Sequence, residues 1–376
     1  MSIAWTIFIT LMVMLAQGAV YSKWGLNRIK YTRTFSQETA FEGEEVEMID
    51  RISNHKLLPL PWLRLESKMN PNLVFHKSTI HPNLNQEDDQ FHRTLFTLLP
   101  FQKITRRHKL TCVKRGYYPL QTVSIATGDV IGFGETFQSV EAKASMTVYP
   151  RIVPIKEIPL PSHSWLGDIT VRRWIVEDPF LYAGVREYAY GDPMNAVNWK
   201  ATARTGQLQI NKRDFTADHH LMIYVNFDLS EDFRLPIYNE AVIERGLSYA
   251  ASIANHTISN GIQTGFGCNA YFVEPFTNST DPVKESVRIE PSSSNGQIAY
   301  LLDTIAKLKM DRSRTFFSFL QEDIDQERTN ADILIITAIV TDKMQVKIRQ
   351  LETMGNAVEV VQLQDDMGEV GEEIAQ

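Results

Sequence analysis

The architecture the sequence predicts is an α/β domain on a parallel sheet covered on both faces, preceded by a small all-β domain and one transmembrane helix. Three patterns predict it. Residues 3–21 run without a charge, and residues 30–154 show period-two alternation broken by prolines. From 218 to 363, short apolar runs alternate with stretches of helical period, as β-α units do.

The first run is apolar apart from Thr6, Thr10, Gln17 and Gly18. Roughly 20 apolar residues cross a bilayer core, so this is one span of near-minimal length. Trp5 and Tyr21 sit near its ends, where amphipathic rings favour the headgroup level. A cleaved signal peptide is the rival reading, but it wants a basic leader and Met1-Ser2 offers no basic side chain. Lys23, Arg28, Lys30 and Arg33 follow, with no acidic residue before Glu38. The positive-inside rule then places the N-terminus outside and the soluble domains in the cytoplasm, on a single-pass membrane protein.

In the β region Val46, Met48 and Ile52 alternate with charged residues, and Phe91, Leu95, Thr97 and Leu99 continue the habit. Pro59, Pro61, Pro71, Pro82 and Pro100 punctuate it. Short strands with regular turn signals suggest an antiparallel sandwich, though spacing alone equally allows a barrel. Gly128-Asp129 and Gly132-Phe133-Gly134 read as rim turns; a phosphate loop would need a following Lys-Ser or Lys-Thr, which is absent. Residues 155–217 form a connector, in which Pro159, Pro161, Gly167 and Pro179 forbid a long element and Trp165 and Trp174 are expected to dock it.

In the α/β domain, 221–227, 265–272, 333–340 and 357–363 read as buried strands. Ile243, Leu247, Ala250 and Ala254 make one helical face, Ile298, Leu301, Leu302, Ile305 and Leu308 a second, and Met344, Ile348 and Leu351 a third. The acidic tail from 364 to 376 reads as disordered.

A net charge of −7 excludes nucleic acid as the main partner, since no basic face dominates. The two cysteines, Cys112 and Cys268, rule out a disulfide framework and read as packed rather than nucleophilic. No H-E-x-x-H, C-x-x-C or G-x-S-x-G occurs, and neighbouring His219 and His220 in a strand would face opposite ways. The expectation is therefore a non-enzymatic protein.

The densest run of special residues is 184–213. Gly191-Asp192-Pro193 predicts a helix start at Pro193, with Asn195, Asn198 and Trp199 on it and Arg204 in its last turn. Leu208 and Ile210 then alternate as in a strand, giving strand, turn, helix, strand. Two roles are open to Arg186, Asp192, Trp199 and Arg204: locking the connector onto the sheet, or presenting a docking surface with Lys200, Lys212 and Arg213. The favoured expectation has Trp199 packed, Arg204 paired, and Lys200 and Lys212 facing outward.

Arg186, Tyr188, Gly191, Asp192, Asn198, Trp199, Lys200, Ala201, Ala203, Arg204 and Leu208 together resemble the signature of the bacterial family called domain of unknown function 58. Lys114-Arg115-Gly116-Tyr117-Tyr118, residues 128–134 and Val148-Tyr149-Pro150-Arg151 are similar to its upstream region. The resemblance implies a membrane anchor, a sandwich in the β region, and a von Willebrand factor type A-like C-terminal domain. It also implies a protein partner, a MoxR-type AAA+ ATPase, in a chaperone-like or maturation system.

Type A domains hold a divalent ion with Asp-x-Ser-x-Ser plus a distant Thr and Asp. Asp228 and Ser230 match the start of that motif at a strand's carboxyl end, where open parallel sheets bind ligands. Asp232 fills the third slot, Ser292-Ser293-Ser294-Asn295 falls where the Thr belongs, and Ala338 replaces the later Asp. Magnesium is possible there, but no cofactor is the expectation, with Asp228 and Ser230 capping the following helix instead. Two other functions compete with a cytoplasmic interaction module. One is a metal-dependent enzyme at the Asp228 end; the other is an extracytoplasmic adhesion or wall-associated module, if the first helix is cleaved or inverted.

Overall fold

A computed structural model of the chain describes residues 3–76, 90–129, 134–160, 177–189, 194, 197–215, 220–232, 234–272, 284–292, 294 and 296–364. The expectations for Pro82, Gly132, Phe133, Trp165, Trp174, Gly191, Asp192, Pro193, Asn195, His219, Ser293, Asn295 and the tail from 365 lie outside these residues.

Helix α1 (Ile3–Trp24) has mean hydropathy 1.5 over Trp5–Trp24 and leaves its apolar side chains exposed. That is compatible with a membrane anchor or a signal sequence. Its far end is tied down: Lys56 Nζ donates to the carbonyls of Trp24 at 2.8 Å, Asn27 at 2.9 Å, and Gly25. Orphan carbonyls at a helix C-terminus favour such a cation.

Nine strands follow: β1 (Ile29–Phe35), β2 (Thr39–Phe41), β3 (Glu45–Asn54), β4 (Leu60–Met69), β5 (Leu73–Phe75), β6 (Gln90–Leu98), β7 (Lys103–Cys112), β8 (Gly116–Gly128) and β9 (Glu135–Tyr149). They form two sheets, ordered β1-β3-β7-β5 and β2-β9-β8-β4-β6, antiparallel except for the β2–β9 pair. Met48 and Leu110 of the first sheet share a buried cluster with Leu120 and Met146 of the second. Ile52 likewise joins Leu63, Phe96 and Ile125. The N-terminal region is thus β-rich, its two sheets sharing buried clusters.

The chain then crosses onto the C-terminal domain. Val153 N–H donates to Ser252 Oγ at 2.9 Å, and Ile158, after a 3-10 turn at Ile155–Glu157, enters that domain's core. Next comes a two-stranded antiparallel ribbon, β10 (Glu177–Glu187) and β11 (Gln209–Phe215), with helix α2 (Trp199–Thr205) between them.

The C-terminal domain runs β12 (His220–Val225), α3 (Glu240–Ser259), β13 (Gln263–Cys268), β14 (Val287–Ser292), α4 (Gln297–Lys307), α5 (Phe316–Asp325), β15 (Asp332–Thr337), α6 (Asp342–Thr353) and β16 (Ala357–Gln362). The sheet order is β14-β13-β12-β15-β16, parallel except for β14 at the edge. Strand alternation divides the core: Leu221, Ile223 and Val225 pack toward α3 and α4, while Met222 and Tyr224 pack toward α5 and α6. Two elements were not expected. β14 buries only Val287 and Ile289, so it lacks a continuous apolar run, and α5 mixes three phenylalanines with an acid-rich end.

Candidate functional site

Among the described residues the signature helix begins at Trp199, and Asn198, expected within it, is its N-cap, Oδ1 accepting from Ala201 N–H at 3.0 Å. Asn198 N–H also donates to Gln209 O at 2.8 Å, which ties the cap to β11. Gly206 ends the helix in the left-handed conformation at φ 73°, where a side chain would be strained.

Trp199 is not the packed anchor expected. It is 65% exposed, on a helix with no buried residue. Its anchoring role falls to the residues on either side: Val197 and Ile210 are buried, and Tyr188 packs on them. Lys200 and Arg204 are exposed, and among the described residues Arg204 makes no ion pair, contrary to expectation. Arg186 is also exposed and donates from Nη1 to Glu187 O at 3.1 Å. Met194, Val185 and Leu208 lie exposed on the same segment. The arrangement offers an indole and flanking apolar groups among cations.

At the carboxyl end of β12 the predicted ligands do not converge. Asp228 accepts Phe316 N–H at 2.7 Å on Oδ2 and Asn269 Nδ2 at 3.1 Å on Oδ1; Arg312 Nη1 lies 3.4 Å from Oδ1. It therefore accepts the first amide of α5, whose N-cap is Thr315, rather than capping the helix that follows it. Burial raises the Asp228 carboxyl above the ordinary range, partly offset by the Phe316 amide, Arg312 and Asn269. Ser230 Oγ donates to Asp232 O at 3.1 Å, and Asp232 Oδ1 accepts Arg234 N–H at 2.9 Å, so this pair is a surface turn. Ser292 pairs with Thr264 near the amino end of β13, at the opposite end of the sheet. The residues beside Asp228 are Arg312 and Phe316, and a guanidinium stands against the oxygen a hard cation would use. This donor set does not fit magnesium.

Sequence reasoning missed Asn226, Asn269 and Arg312. Asn226 Oδ1 accepts Asp228 N–H at 2.8 Å and its Nδ2 donates to Thr337 Oγ1 at 2.9 Å. Asn269 Oδ1 takes Phe227 N–H at 2.9 Å. The available signal was an Asx residue just past each of two parallel strands.

The upstream segment 114–118 has a definite place. Lys114 Nζ lies 2.5 Å from Glu240 Oε2 on α3, and Arg115 reaches Glu244 on the same helix. The Tyr118 hydroxyl donates to Lys114 O at 2.6 Å and Arg115 O at 3.1 Å, folding the turn tightly. A Cβ on Gly116 would lie 2.9 Å from the Tyr118 ring, so glycine is required there. Together with Glu244, Lys307 and Lys309 these residues line a cavity of about 390 Å³ between the two domains.

Residues 184–369 match the family model described as "Protein of unknown function DUF58", which takes in the signature helix and the whole C-terminal sheet. The chain is also 20% identical over 263 residues to the uncharacterized protein YeaD of Bacillus subtilis (strain 168), covering 70% of this chain and 61% of that relative. Both findings support a DUF58 family. Among solved structures, a CARDB domain from Pyrococcus furiosus is 8% identical with a TM-score of 0.20, covering 33% of this chain and 96% of its own. A non-cellulosomal cohesin from Archaeoglobus fulgidus is 15% identical with a TM-score of 0.21, covering 32% and 91%.

Proposed function

We propose that this protein is a non-enzymatic, membrane-tethered interaction module, held by α1 with its soluble domains in the cytoplasm. Its C-terminal sheet is read as von Willebrand factor type A-like, and α2 is its docking surface. The single observation that carries this reading is the exposed Trp199, 65% accessible within the family-matched region. A large indole left in water costs solvation free energy that a partner can recover, and Trp and Arg are the residues most enriched at interface hot spots. Lys200 and Arg204 beside it suit an acidic partner and speed its approach. The partner class proposed is a MoxR-type AAA+ ATPase, in a chaperone-like or maturation system.

The test is capture from native membranes with the full chain as bait. The parent should retain the ATPase, and the Trp199→Ala and Arg204→Glu variants should lose it while melting as the parent does. Equal capture by all three would defeat this assignment of the surface.

A further inference from the structure

The sandwich core is divided by a polar seam. Along β3 the inward slots run Val46, Met48, Asp50 and Ile52, so a carboxylate occupies an apolar position and is fully buried. Arg33 on β1 grips it, Nε to Oδ1 at 2.7 Å and Nη2 to Oδ2 at 3.2 Å, and the Tyr31 hydroxyl donates to Oδ1 at 2.6 Å. Two imidazoles complete the seam: His108 on β7 of the same sheet and His92 on β6 of the facing sheet, their ring centroids 4.6 Å apart. Phe75 stacks on His92 at 4.2 Å.

We propose that Asp50, His92 and His108 form a binding site for one zinc-class transition-metal ion. One ligand atom from each lies within 4.8 Å of the others. His108 Nε2 stands 3.8 Å from Asp50 Oδ2, whereas two ligands of a tetrahedral ion at about 2.0–2.1 Å stand about 3.4 Å apart. Side-chain shifts of about an ångström would close the set around an ion. The donors are available. His108 Nε2 is buried with no hydrogen-bond partner, and Oδ2 carries only the longer of the two Arg33 bonds.

Ligand chemistry narrows the class of ion. Two imidazoles and one carboxylate favour zinc, cobalt or copper over magnesium or calcium, which want oxygen shells. Three protein ligands leave a further position for solvent, and the part-exposed His108 provides a route to it. An outer shell is already present: the Thr94 hydroxyl is 3.0 Å from His92 Nε2, and Tyr31 and Arg33 fix the carboxylate. The Arg33 charge opposes a cation, so the affinity expected is roughly micromolar rather than that of a structural zinc finger.

Cobalt titrated into the chelator-treated full chain in detergent should produce visible ligand-field bands saturating at one equivalent, and zinc should displace it. His92→Ala and His108→Ala should each weaken binding by more than about tenfold, and Thr94→Ala by less. Zinc should raise the melting temperature of the parent but not of the histidine variants. If an alanine variant fails to fold, His108→Asn, which keeps a neutral polar side chain, takes its place. Binding no tighter than roughly millimolar, or one equivalent that both histidine variants retain, would overturn the proposal.

Discussion

Arg115, on the turn between β7 and β8, places Nε 2.5 Å from Glu244 Oε2 on α3 and Nη1 2.8 Å from Ile305 O at the end of α4. A second bond runs to Leu308 O at 3.2 Å. One guanidinium thus joins the sandwich to two helices of the α/β domain, matching a carboxylate and the negative end of a helix at once. Arg115→Ala leaves Glu244 and two carbonyls without this donor, and should cost about 3–5 kcal/mol. Because the contact links two cores, calorimetry should also show the two domains unfolding further apart in temperature than in the parent. Lys cannot reproduce a three-way fork, so Arg115→Lys should recover only part of the loss.

Trp199 behaves oppositely. With the indole exposed, Trp199→Ala should change stability by less than about 0.5 kcal/mol, as surface substitutions do. Partner affinity should fall by about 2 kcal/mol, roughly 30-fold, if the indole is a hot spot. A melting temperature lowered by many degrees would mean that the ring is packed after all.

Asp228 holds the amino end of α5 through Phe316 N–H and balances Arg312. Asp228→Ala strands three donors and should cost about 3 kcal/mol, measured by denaturant unfolding. Asp228→Asn keeps an acceptor for the Phe316 amide, and burial already favours a neutral carboxyl there. It should cost clearly less. Millimolar magnesium should leave the parent's midpoint unchanged, since Arg312 occupies the approach to Oδ1.

Where the sequence was legible, one physical signal acted alone. Long apolar periodicity marks β12, α3, β15 and α6, and uncharged length marks α1. The signature's strand-helix-strand order was also readable, from turn residues and alternation. Tertiary partners were not. Trp199 reads as core by residue type, but only the folded ribbon shows that Val197, Ile210 and Tyr188 fill the groove instead. The Ser292 loop goes to the wrong end of the sheet because β14 runs antiparallel, and strand direction has no local signature. Asp50 was the most accessible omission: it stands in register with Val46, Met48 and Ile52, and a charge in an inward slot signals a buried partner.

That seam sets a pH dependence. Burial first, then the charges of His108 and Arg33, hold the His92 imidazole down to about 4, from an ordinary 6.5. His108 is lowered as well, chiefly by burial. Between those two values the unfolded chain takes up a proton on His92 that the folded chain refuses. The unfolded state therefore binds more protons, and stability must fall as pH drops from 6.5 toward 4. Asp50 acts in a lower window: burial raises its carboxyl, but Arg33 and Tyr31 outweigh that and hold it below its usual 3.8, so its contribution is lost only on further acidification. Urea midpoints measured on the metal-free protein from pH 7 down to pH 4.5 should decline steadily in the parent. In His92→Gln, which keeps a polar side chain but cannot titrate, the decline should be visibly shallower. Superimposable profiles would mean that the folded sandwich accepts the proton, and that the imidazole is not held neutral between the sheets.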